Sequence, residues 1–130
     1  MDIVIDTSAV MAVIVAEPER DRIVELTSGH TLIGPGCVPW EVGNAFSAML
    51  KQRRLGVAEA QRGLEILDAI PLRYVTVDLK HALSIAAETN MYAYDAYFLD
   101  CALRHSAPLL TLDRSLRLAA QKIGANLLEV

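Results

Sequence analysis

Short apolar runs alternate with longer stretches of helical periodicity from one end of this chain to the other. A strand that is apolar at consecutive positions has both faces buried. That is the pattern of a parallel sheet covered by helices on both sides. Ile3-Val4-Ile5 is such a run, and Leu109 to Leu112 is nearly one. Thr31 to Ile33 and Arg73 to Val77 read as further strands, and Asn126 to Val130 as a last one. Between them, helices are expected from Ser8 to Ala16, from Pro18 to about Ser28 and from Pro39 to about Arg54. Others follow from Val57 to about Ala69, from the cap Asp78 to about Thr89, from the cap Asp95 to about His105, and from the cap Asp113 to about Ile123. Pro39 suits the first turn of its helix, and Gly29 and Gly56 suit helix ends. The pattern predicts one three-layer α/β/α domain over residues 1–130, with a central parallel sheet of about five strands.

Composition supports a packed domain, because 53% of the residues are hydrophobic and only 22% charged. No window of about 18 uncharged apolar residues exists, so no membrane span is expected. The chain opens on Asp2-Ile3-Val4-Ile5-Asp6 without a basic start, so a cytoplasmic location is the default. Cys37 and Cys101 sit in apolar surroundings and read as buried, reduced thiols. The net charge of −4 argues mildly against a nucleic-acid partner. That argument weakens if several acids share one metal site, where a bound cation inverts the local charge.

Four acids stand out by position. Asp6 ends the first strand, Glu41 lies in the first turn of the helix at Pro39, Asp95 starts a helix, and Asp113 follows the fourth strand. In an open α/β sheet ligands bind beyond the carboxyl ends of the strands, at the switch in strand order. If the first and fourth strands are neighbours, all four carboxylates converge there. Unpaired, they repel one another and cost several kcal/mol or more to bury, and a hard divalent cation with oxygen ligands relieves both. A plainer account stays open at this point. Asp95 and Asp113 also serve as N-caps, and Glu41 complements a helix dipole. Asp6 fits that account least, since Thr7 and Ser8 are free to cap.

The segments Val4-Ile5-Asp6-Thr7-Ser8-Ala9, Trp40-Glu41-Val42-Gly43-Asn44-Ala45, Tyr94-Asp95-Ala96-Tyr97 and Leu110-Thr111-Leu112-Asp113-Arg114 resemble, in order and interval, the four motifs of VapC-type PIN domains. The resemblance covers essentially the whole chain. It implies a toxin endoribonuclease of a type II toxin–antitoxin system, cleaving RNA phosphodiester bonds with Mg²⁺, or Mn²⁺ as a substitute. Asp6, Glu41, Asp95 and Asp113 would then hold the metal directly or through water, with Ser8 and Thr111 in support. The resemblance further implies a homodimer and a VapB antitoxin whose C-terminal part wraps the toxin.

Asp100 lies five residues after Asp95, about 140° around an ideal helix, so the two do not share a face. A role behind the metal ligands or at a second metal stays open for it, against that of a solvated or cap-paired acid. His30, His81 and His105 lack zinc spacing and read as surface or helix-end residues. Lys51, Arg53 and Arg54 either complement a helix end or, joined by Arg114 and Arg117, touch RNA. Trp40 and Tyr94, beside two of the acids, are expected in the core, though either could stack on a base. The helix with Met11, Val13, Ile14 and Val15 is apolar nearly all round, which suits either burial or a partner's groove. Other acid-dependent phosphate enzymes fit poorly, because Ser8 stands where a dehalogenase-type phosphatase needs a second aspartate. A metal-dependent adhesion loop fails at Val10. The remaining alternative is a PIN-fold module that binds RNA or a partner without catalysis.

Overall fold

A computed structural model describes all residues from Met1 to Val130. Strands β1 (Asp2–Ile5), β2 (Thr31–Pro35), β3 (Leu72–Val75) and β4 (Leu109–Leu110) form one sheet in the order β3-β2-β1-β4. Every pairing is parallel: Val4 sits opposite Ile33 on one side and Leu109 on the other, and Ile33 opposite Arg73. Seven helices flank it: α1 (Thr7–Ile14), α2 (Arg20–Thr27), α3 (Val38–Lys51), α4 (Val57–Ala69), α5 (Leu79–Thr89), α6 (Ala93–Arg104) and α7 (Arg114–Ile123). Ile3, Val4 and Ile5 are consecutively buried, as a strand covered on both faces requires. They join Ile33, Val38, Val42, Leu99, Leu109 and Leu116 in one core. Helices α3 and α4 approach closely at Gly63, where an added Cβ would stand 2.3 Å from the Phe46 ring.

The sheet has four strands rather than about five. The expected strand at Asn126–Val130 reduces to a single parallel bridge between Leu127 and Leu109. Both of its ladder hydrogen bonds fall on Leu109, whose N–H donates to the Asn126 carbonyl and whose carbonyl accepts from Leu128 N–H. Strand β4 has no further length to offer, because it stops at Leu110 instead of Leu112. The N–H groups of Leu112 and Asp113, which a longer strand would use, donate instead to the hydroxyls of Ser8 and Thr111. Side chains have ended the ladder.

Helix ends hold two further differences. Helix α2 starts at Arg20, two residues after Pro18. Helix α6 starts at Ala93 behind an extended Tyr92, whose carbonyl accepts from Ala96 N–H. Asp95 therefore lies inside the first turn and is not the cap. Asp78 and Asp113 are caps, bonding His81 N–H and the N–H groups of Ser115 and Leu116. No helix is long and apolar enough to cross a membrane.

Candidate active site

The strand order reverses between β1 and β4, and the chain segments leaving those two strands meet at that edge. Asp6 follows β1 directly and caps α1 by accepting from Ala9 N–H at 3.1 Å. It is only 5% exposed. Its Oδ1 also accepts from Ser8 Oγ at 2.7 Å, and its Oδ2 from Thr111 Oγ1 at 2.6 Å. Each hydroxyl has one proton and spends it on Asp6. Each then accepts a backbone N–H, Leu112 into Ser8 and Asp113 into Thr111, at 3.0 Å in both cases. The two oxygens lie 3.3 Å apart with no proton left to share. The result is a clasp that fixes the Asp6 carboxylate from both neighbouring strand ends. A carboxylate offers about four acceptor positions, and three are taken.

Burial pushes the Asp6 carboxyl above its ordinary range, against the three hydrogen bonds that favour its charge, and Asp113 adds to the rise. Burial likewise raises Glu41, helped by the charges of Asp95 and Asp6. It raises Asp95 too, with Asp113 contributing. The charges of the four acids thus act on one another in pairs: Asp113 on Asp6, Asp113 on Asp95, and Asp95 and Asp6 on Glu41. No lysine, arginine or histidine enters among the influences on these three groups. No three of the side chains close tightly enough to grip one ion directly. That spacing suits a cation held by one or two carboxylates, with the others reached through its water shell, as Mg²⁺ prefers.

Glu41 has a partner that its sequence position did not bring to mind. The Cys37 thiol, one helical turn earlier, donates to Glu41 Oε2 at 2.9 Å. Burial and the adjoining carboxylate push that thiol far up, so it stays protonated and remains a donor. The spacing of four residues was the available signal. Thr7 Oγ1 is buried without a completed hydrogen bond.

Asp100 is fully buried, not solvated, and stands apart from the four acids. It accepts from Asp78 N–H at 3.0 Å, from the His81 ring Nδ1 at 2.6 Å and from Arg104 Nε at 3.4 Å. Arg104 also pairs with Asp78 at 3.2 Å. This cluster ties the start of α5 to α6, and it gives His81 a specific partner that a simple surface position would lack. Trp40 and Tyr94 are not in the core: they are 76% and 57% exposed. Both line a cavity of about 260 Å³ with Glu41 and Asn44. Lys51, Arg53 and Arg54 lie exposed at the end of α3, and Arg117 is paired with Glu129 at 2.8 Å.

Comparison with known proteins agrees with this architecture. The crystal structure of PAE2754 from Pyrobaculum aerophilum has a TM-score of 0.70 at 21% identity, covering 95% of this chain and 99% of that one. That of VapBC2 from Rickettsia felis, bound to a DNA fragment from their promoter, has a TM-score of 0.68 at 18% identity over 99% and 98%. A toxin–antitoxin complex from Klebsiella pneumoniae has a TM-score of 0.56 at 14% identity over 85% and 86%. At such identities the likeness is one of fold. No curated protein matches the sequence. The PIN domain family, however, matches residues 3–122, nearly the entire length. The chain belongs to the PIN domain family.

Proposed function

We infer that this PIN domain is a VapC-type toxin, an endoribonuclease that hydrolyses RNA phosphodiester bonds with Mg²⁺ or Mn²⁺. The observation that carries the reading is the set of four acids at the switch point, where Asp6, Glu41 and Asp95 each feel the charge of another of the four. A carboxylate set of this kind rises in pKa when empty and is relieved by a hard dication. Asp6, Glu41, Asp95 and Asp113 would hold that ion, directly or through water. The donor set is all oxygen, which selects Mg²⁺ or Mn²⁺ over softer metals.

When bound, a divalent cation lowers the pKa of a coordinated water and offsets charge on the phosphate under attack. The protein's own contribution is placement. Ser8 and Thr111 lock the Asp6 oxygens, so this carboxylate pays no reorganisation during the reaction. Cys37 holds one oxygen of Glu41, Oε2. Asp95 and Asp113 sit at helix starts, where the dipole favours their charge. Asp113 spends Oδ1 on capping α7 and keeps Oδ2 for the site.

The partner proposed is a VapB-type antitoxin. Solved relatives of this fold include the VapBC2 and Klebsiella toxin–antitoxin complexes. The partly exposed apolar residues Met11 and Val15 on α1 line grooves beside α3 that such a partner would cover. A homodimer and a cytoplasmic location belong to the same proposal. The second reading, an RNA- or partner-binding module without catalysis, draws on the lack of any three side chains poised to grip an ion.

One experiment separates them. Purified protein is incubated with structured RNAs in Mg²⁺, in Mn²⁺ and in excess chelator, beside folded Asp6→Asn and Asp95→Asn variants. Metal-dependent cleavage lost in both variants is the expected result. Metal-independent binding without cleavage would favour the non-catalytic module, and full activity in Asp6→Asn would refute the site.

A further inference from the structure

The aromatic residues beside the four acids are not explained by the fold. Trp40 immediately precedes Glu41, and Tyr94 immediately precedes Asp95. Both rings are mostly exposed. Exposed large aromatics gathered at one place mark a binding surface more often than a structural need. Tyr94 is braced edge-on by the half-buried Tyr97, with ring centroids 5.6 Å apart and planes at 78°. That contact favours one orientation of the Tyr94 ring. Asn44, one turn along α3 from Trp40, adds an amide to the same cavity.

We propose that Trp40 and Tyr94 form a clamp for an unpaired nucleobase next to the scissile phosphate. The proposal rests on the nuclease reading above and assigns to it two residues that would hold the base beside the cut. Three observations converge on it. The chain carries a net charge of −4, so it lacks the general phosphate attraction that most RNA-binding proteins use. Stacking on aromatic faces supplies affinity without positive charge, and every base has a face to offer. The Asn44 amide presents both a donor and an acceptor to a base edge, and a base in a duplex has neither its faces nor its pairing edge free. The cavity wall, finally, includes the Glu41 carboxylate. An apolar side chain from a protein partner would bury that charge unpaired, at a cost. A nucleotide instead brings its phosphate toward the same metal-binding acids.

Trp40 is the only tryptophan, so its fluorescence reports on the clamp directly. The test uses the full chain carrying Asp6→Asn, which is expected to bind RNA without cutting it. Three probes are compared in Mg²⁺: a short single-stranded RNA, the same strand annealed to its complement, and the same strand with abasic ribose at its centre. The single strand should quench Trp40 emission, and the duplex and abasic strands should not. Tyr94→Ala should weaken single-strand binding by about five- to a hundred-fold. By anisotropy, Trp40→Ala should lose as much and Trp40→Phe should recover much of it. The affinity should depend only shallowly on salt. Equal binding of abasic or duplex RNA would overturn the clamp, as would affinity unchanged by Trp40→Ala and Tyr94→Ala. Emission that shifts with protein concentration alone would mean that a second copy covers Trp40, which also overturns it. Calorimetry of Mg²⁺ binding to the unmutated chain keeps the two readings apart. Metal binding and cleavage without base-dependent quenching would remove the clamp and leave the nuclease, whereas neither would remove both.

Discussion

Two buried aspartates stand in this molecule under opposite conditions. Asp100 meets an arginine, a histidine ring and a backbone N–H, so its charge is matched within the protein. Asp6 meets two hydroxyls and a backbone N–H, and the charges around it are further carboxylates. Hydrogen bonds orient a buried anion, but only a cation balances it. The first arrangement is complete and fastens two helices together. The second is fully oriented yet unbalanced, and the proposed metal site rests on that difference. Burial alone does not tell structure from function here; the sign of the neighbours does.

The contrast breaks most sharply at Asp6. Asp6→Asn should lower cleavage by on the order of 10²–10³ or more, while the metal-free protein melts no lower than the unmutated one. Comparison of turnover and melting on one preparation checks both halves. A variant that lost fold and activity together would sink the distinction. Thr111→Val tests the clasp rather than the charge. Metal affinity should fall by roughly 10–100-fold, measured by calorimetry with Mn²⁺, with little change in secondary structure. Asp100→Asn should do the reverse of Asp6→Asn. It should cost about 1–3 kcal/mol of stability in denaturant unfolding. The loss lies toward the low end because His81 and Arg104 are partly exposed and regain water. Activity per folded molecule should hold.

Titration should separate the two regions as well. Asp6, Glu41 and Asp95 have folded pKa values above their ordinary 3.8, 4.5 and 3.8. A raised folded pKa gives stability that is full below the unfolded value and is lost as pH climbs through the folded one. The metal-free protein should therefore lose this contribution on going from acid toward neutral pH, and Mg²⁺ should restore it at neutral pH. Asp78 runs the other way. Its carboxyl is held low by the His81 N–H and by Arg104, so its contribution disappears as pH falls through that lowered value. Melting temperatures against pH, with and without Mg²⁺, distinguish the two slopes. A Mg²⁺ effect equal at all pH values would contradict the four-acid site. The smallest expected effect is at Cys37. Cys37→Ala frees Glu41 Oε2 and should reduce metal affinity only a few-fold, about the loss of one neutral hydrogen bond, with Cys37→Ser restoring it. Calorimetry that ranked alanine level with serine would remove any positioning role for the thiol.

Much of this was legible in the sequence because each of the four acids marks a boundary. A charge at the end of an apolar run, or at the start of a helix, has its place set by local structure, so Asp6, Glu41 and Asp113 lie where periodicity put them. Asp95 was misread as a cap, since a helix start fixed by backbone geometry at Tyr92 leaves no side-chain signature. The length of β4 was overestimated for a related reason. Leu112 looks like strand, but its N–H goes to a hydroxyl 104 residues away. The Asp100 cluster and the outward faces of Trp40 and Tyr94 depend on how α5, α3 and α6 meet their neighbours. No single element encodes that.

The Ser8–Thr111 clasp also sets an order of events in the life of the chain. Asp6 and Ser8 are made well before Thr111 and Asp113. Synthesis runs from the N-terminus, and domains of this size fold as units. One oxygen of Asp6 finds its partner only after a separation of 105 residues has been spanned. A nascent chain, or one cut short before β4, lacks both the second arm of the clasp and the fourth acid. On the proposed nuclease reading, the site stays incomplete until β4 and the residues that follow it have been made.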